Sequence, residues 1–130
     1  MLPDIQRTTV VAESQTPDLW KLPESLLDFV NTGDEDMVAE ILTLFQQDSA
    51  ERLRELNLAL SNGDRVAIRK QAHTLKGAAS QVGAMALAAL CQEIEIQAEQ
   101  SSQPDLLELA CRAWECYGKT CREMTSASSS

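Results

Sequence analysis

The chain has 130 residues, 44% of them apolar but only 4% aromatic, and carries a formal net charge of −9. That is the length of one ordinary domain, with a core built from Leu, Ile, Val, Ala and Met. The acid excess excludes sequence-independent nucleic-acid binding, which needs a broad positive surface, and no Lys/Arg-rich amphipathic stretch suits an anionic membrane. Few Gly and Pro among many Ala, Leu, Glu and Gln favour an all-helical domain. No run approaches 18 apolar residues, so no transmembrane span is expected. The start, MLPDIQRTTVVAESQ, has no apolar stretch behind a basic leader, which makes the cytoplasm the default location.

Residues 1–15 show no periodicity and read as a flexible tail; Thr16-Pro17-Asp18 reads as a turn or cap. A short helix is predicted from Pro23 to Asn31, with Leu26, Leu27, Phe29 and Val30 apolar, before Asn31-Thr32-Gly33-Asp34 breaks it. A long second helix should run from Asp34 or Glu35 to Ser61. Met37, Ile41, Leu44, Phe45, Leu53, Leu56 and Leu60 recur there every three or four residues, with a polar stretch at Gln46 to Glu51. Asn62-Gly63-Asp64 then supplies a stop and a new N-cap. A third helix follows to Val82 and is closed by Gly83, and a fourth covers Ala84 to Gln100 with Leu87, Leu90, Cys91 and Ile94 on one stripe. Pro104 suits the first turn of a fifth, which carries Leu106, Leu107, Ala110, Ala113, Trp114, Tyr117 and Cys121. The expected domain spans 16–124, and 125–130, TSASSS, read as a flexible low-complexity tail. Four long helices with short connections predict an antiparallel up-down four-helix bundle with an additional short N-terminal helix.

The four cysteines, Cys91, Cys111, Cys116 and Cys121, form no C-x-x-C pair. The last three are spaced by five, which turns each about 140° from the one before around a helix. Reduced thiols, some of them buried, are the expected state, and no metal site is predicted.

The one histidine, His73, lies in the third helix within AHTLKGAASQVG. On a helical wheel Ile68, Leu75, Ala78, Ala79 and Val82 fall between about 140° and 240° from it, so the core face is opposite. Arg69, Lys70, Lys76, Gly77 and Ser80 lie within about 60° of it. Four of the chain's 11 Lys and Arg fall between residues 65 and 76: Arg65, Arg69, Lys70 and Lys76. Gly77, inside the helix, costs about 1 kcal/mol against alanine and leaves open space one turn from the imidazole. An outward imidazole among cations, with room for something to approach, suits a transferable anionic group, since neutral imidazole is a nucleophile near neutral pH.

His73-Thr74-Leu75-Lys76-Gly77, then Ser80-Gln81-Val82-Gly83, then Leu87 and Leu90, resemble the histidine-containing phosphotransfer (HPt) domain. The resemblance covers residues 18–122, with Phe29, Gly33-Asp34 and Leu44-Phe45 matching the first two helices less specifically. It implies a phosphorelay intermediate of two-component signalling, with phosphate carried on Nε2 of His73 and supported electrostatically by Lys76. Gly77 would leave the docking surface open, and Arg69, Lys70 and Ser80 would lie on it. Gln81, or Glu95 on the next helix, would hydrogen-bond near the imidazole; Glu95 stands where some relatives carry Gln, and could hold the Nδ1–H side instead. Phosphate would come from a receiver-domain aspartate, downstream of a hybrid sensor histidine kinase, and pass to another receiver. The receiver would supply Mg²⁺, so the carrier needs no cofactor of its own, and a monomer suffices.

An autophosphorylating kinase is the nearest competitor. Such domains usually place an acid after the histidine and a proline later, and 130 residues hold no glycine-rich ATP region. The chain is therefore expected to be a carrier, not an enzyme. A phosphotransfer domain excised from a hybrid or chemotaxis kinase stays open, as does a helical docking module that carries no phosphate. A metal- or haem-binding bundle is weaker, because it would want inward-facing ligands.

Overall fold

The computed structural model describes residues 19–100 and 102–129, with side chains as far as Thr125. Its helices are α1 (Glu24–Asn31), α2 (Glu35–Asn62), α3 (Arg65–Gln81), α4 (Met85–Gln97) and α5 (Gln103–Ser129), and no strand occurs among the described residues. α2 packs on α3, α3 on α4, α4 on α5 and α5 back on α2, which closes a four-helix circuit; α1 lies against α2. Turns of two or three residues reverse the chain between α2, α3 and α4, so neighbours run antiparallel. The expected all-α bundle with a short leading helix is the observed fold.

Local chemistry sets the breaks. Gly63 takes a left-handed φ of +68° after α2, and the Asp64 side chain accepts a hydrogen bond from the Ala67 amide at 3.1 Å to cap α3. The core is aliphatic. Leu53, Leu56 and Leu60 of α2 meet Ile68 and Leu75 of α3, Leu87 and Ile94 of α4, and Leu106 and Met124 of α5, all at most 2% exposed. Each such side chain contributes roughly 1.5–3 kcal/mol on burial. Polar links join the helices at both ends. Arg65 donates to the Ala98 carbonyl and Gln103 to that of Leu60, while the Tyr117 hydroxyl donates to the carbonyl of Gln46.

Several details depart from the sequence pattern. Met37 and Leu44 are 38% and 58% exposed, and Val38 and Leu42 take the core positions beside Phe45. The polar stretch Gln46–Glu51 is no gap, because Ser49 is buried on the core face of an unbroken helix. Leu27, Phe29 and Leu107 face outward. α4 ends at Gln97, short of Gln100, and α5 continues to Ser129 where a tail was expected from 125. Nothing after Met124 breaks a helix, since that stretch holds no Gly or Pro, and Met124 itself is buried. The expected tail at 1–15 and the turn at Thr16-Pro17-Asp18 lie outside the described residues.

Sequence patterning missed the role of Leu19 to Pro23. Trp20 Nε1 donates to the Val82 carbonyl at 2.9 Å, and the Lys21 amide donates to the Gly83 carbonyl at 3.2 Å. The strap thus seats on the α3–α4 turn. All four cysteines are free; Cys91 and Cys116 are buried, and burial, then the neighbouring Cys116, pushes the Cys91 thiol up to about 12. Among the described residues no helix is long and apolar enough to cross a membrane.

Candidate functional site

α3 buries Ile68, Ala72, Leu75 and Ala79, and this stripe turns His73 outward, as the wheel predicts. The His73 side chain is 67% exposed. Its Nδ1 lies 2.9 Å from Oε2 of Glu95 on α4. A carboxylate can only accept, so that contact assigns the ring proton to Nδ1 in the neutral imidazole. Nε2, across the ring, then carries the lone pair.

The other oxygen of Glu95 faces Lys76, whose Nζ lies 3.1 Å from Oε1. The ammonium meets that otherwise enclosed oxygen as a close ion pair. Desolvation raises the Glu95 carboxyl, but interaction with Lys76 and then His73 outweighs it and holds the group below its ordinary value. Glu95 therefore stays ionised and clamps both side chains.

The remaining expected residues divide clearly. Arg69 pairs with Glu99, in the turn just after α4, at 3.5 Å. Lys70 is exposed and has no hydrogen-bond or ion-pair partner among the described residues. A Cβ built on Gly77 would meet nothing within 4 Å, so the surface beside the imidazole is bare. Ser80 and Gln81 are exposed on the last turn of α3. Gln81 stands eight residues from His73, about 12 Å along the axis at 1.5 Å per residue, so it is Glu95 that reaches the ring. A shallow depression opens beside the imidazole, lined by Val66, Arg69, Lys70, His73, Thr74 and Glu95.

The sequence also overstates the positive charge here, because Glu95 of α4 and Glu99 of the turn after it interleave with the cations. Glu99 was not singled out, though it lies four residues beyond Glu95, in the turn that follows α4. Among the described residues no group of three or more His, Cys, Asp or Glu comes together as a metal site.

A helical bundle presenting one exposed, carboxylate-held imidazole on a bare helix face defines a phosphotransfer-type carrier. The Hpt domain family model matches residues 40–128. The structure is similar to histidine-containing phosphotransfer protein B (HptB) from Pseudomonas aeruginosa PAO1, with a TM-score of 0.73 and 30% identity over 83% of this chain and 94% of that one. It also shares its fold with the HPT domain of a sensor hybrid histidine kinase from Shewanella, at TM-score 0.64 and 23% identity, over 86% of this chain and 97% of that one. No curated protein matches the sequence significantly. The chain belongs to the Hpt family, whose members are histidine phosphotransfer carriers that work with receiver domains and hybrid histidine kinases in two-component phosphorelays.

Proposed function

We propose that this chain is a phosphorelay intermediate that carries phosphate on Nε2 of His73 between two receiver domains. The observation that carries the reading is the Nδ1 contact to Glu95, which fixes the ring and leaves the Nε2 lone pair on the open side. In the forward step Nε2 attacks the phosphorus of a receiver's aspartyl phosphate. An N–P bond forms, the P–O bond to aspartate breaks, and the carboxylate leaves with its electron pair. Passage to the second receiver reverses these events. Lys76 lies one turn along α3 and can turn part of its charge toward the incoming phosphoryl group. The bare surface at Gly77 lets the receiver backbone approach.

The reading needs no nucleotide site in this chain and places Mg²⁺ in the receiver's acidic pocket. The carrier acts as a monomer, since one histidine on one face suffices, and it takes its phosphate from a hybrid kinase through that kinase's receiver. The test mixes the purified chain with a receiver labelled on its aspartate and Mg²⁺. Label should move to the chain in an acid-labile, alkali-stable bond and be absent from His73→Gln. A folded wild-type chain that takes no label from any of a panel of receivers would leave a docking module without the chemistry.

A further inference from the structure

The cations near His73 are not equivalent. With His73 at zero on the wheel of α3, Arg69 and Lys76 fall about 40° and 60° to one side, and Lys70 falls about 60° to the other. The first side is that of α4, and carboxylates meet it there: Glu95 of α4 takes Lys76 at 3.1 Å, and Glu99, in the turn after α4, takes Arg69 at 3.5 Å. Arg65, a turn further back, is spent on the Ala98 carbonyl. Paired charges a few ångströms apart present little net field to a partner beyond a Debye length of about 8 Å. Lys70 has no ion-pair partner among the described residues. It stands beside Val66, which is 70% exposed, and both line the depression next to the imidazole. Among the described residues, Lys70 is therefore the cation of this face with neither an ion-pair nor a hydrogen-bond partner, and it stands on the flank away from α4.

We infer that Lys70 is the specificity-determining residue through which this face recognises a receiver: it pairs with a carboxylate on the rim of the receiver's acidic pocket and fixes which way round the receiver sits over His73. The inference rests on the carrier reading above. Lys70 does not touch the reacting atoms, so it sets the rate of productive encounter and leaves the reactivity of the imidazole unchanged. Val66 supplies an apolar contact at the same flank, and Arg69, already held by Glu99, contributes less.

The experiment measures the second-order rate of label transfer from a phosphorylated receiver to the full chain at low and at moderate salt. Lys70→Ala should lower that rate about fivefold at low salt and flatten its salt dependence, as expected for loss of a steering charge. Lys70→Arg should keep both. Lys70→Glu should fall further than the alanine variant, and Arg69→Ala should fall less. Lys119→Ala, the same change in net charge on exposed α5 surface, should match wild type. Direct labelling of His73 by phosphoramidate, a small phosphodonor that needs no docking, should be the same in Lys70→Ala and wild type. Equal transfer by Lys70→Ala and wild type at low salt, or a loss in Arg69→Ala as large as that in Lys70→Ala, overturns the inference. So does a matching loss of phosphoramidate labelling. Wild type that accepts no label from receivers fails the carrier reading itself, which is a separate outcome.

Discussion

Two glycines six residues apart, Gly77 and Gly83, serve opposite ends in this molecule. Gly77 sits in the regular helix of α3, with nothing within 4 Å of where its Cβ would be. Gly83 sits in the α3–α4 turn at a φ of +84°, and a Cβ there would lie 1.9 Å from the Lys21 carbonyl oxygen. At Gly83 the missing side chain lets backbone pass backbone, so the strap carrying Trp20 can seat on the turn. At Gly77 it makes room for nothing inside the protein, and the helix loses propensity in exchange for a bare outer surface. Gly83 is enclosed and left-handed, as the fold requires, whereas Gly77 is open and helical, as the proposed docking of a receiver would want.

Substitution should separate the two. Gly83→Val forces a β-branched residue into a left-handed conformation and onto a neighbouring carbonyl, and should cost about 3 kcal/mol or more. It should also release the Trp20 and Lys21 hydrogen bonds, so denaturant unfolding and tryptophan emission should change together. An unchanged midpoint would mean that the strap is not seated in solution. Gly77→Ala should do the reverse and stabilise the bundle by up to about 1 kcal/mol, because the helix gains propensity and no atom is displaced. Gly77→Gln should keep the fold yet lower transfer from a receiver about tenfold or more, since a side chain standing beside His73 holds the two reacting groups apart. If Gly77→Gln transferred at the wild-type rate, the bare surface would have no part in docking.

This contrast also marks what the sequence made legible. Helix number, order and most boundaries follow from apolar spacing and from the Gly63-Asp64 and Gly83 breaks, because those signals are local. The outward direction of His73 follows from the same periodicity. The choice of core residues on α2 was less legible: Met37, Ile41 and Leu44 repeat at the same spacing as Val38, Leu42 and Phe45, and only packing against α3 and α5 selects between the two stripes. The pairing of Glu95 with both His73 and Lys76, and of Glu99 with Arg69, depends on how far α4 slides along α3, and no single-helix pattern contains that register. The strap was illegible for a related reason, since Trp20 and Val82 lie 62 residues apart.

The smallest expected effect sharpens the comparison through pH. The face around Gly77 is ordered by charges, and the turn around Gly83 by backbone hydrogen bonds without an ionisable side chain in them. Against the burial that would raise it, Lys76 and then His73 hold the Glu95 carboxyl below its ordinary value in the folded protein, so the folded chain binds fewer protons at this group than the unfolded chain does in mildly acid solution. The resulting stabilisation is fully present above the ordinary carboxylate range and is lost as pH falls through the lowered value. Solvent around this partly exposed cluster screens it to less than about 1 kcal/mol. Glu95→Gln keeps an oxygen that can accept from Nδ1 but removes the titration. Its thermal midpoint should therefore lie slightly below wild type at neutral pH and converge with it in acid. Gly83→Val should lie below wild type by a similar margin at both pH values. Parallel curves for Glu95→Gln and wild type down into acid would mean that the carboxylate does not clamp His73 and Lys76 in solution. The ring would then be free to expose either nitrogen, and selection of Nε2 would have to come from the bound receiver.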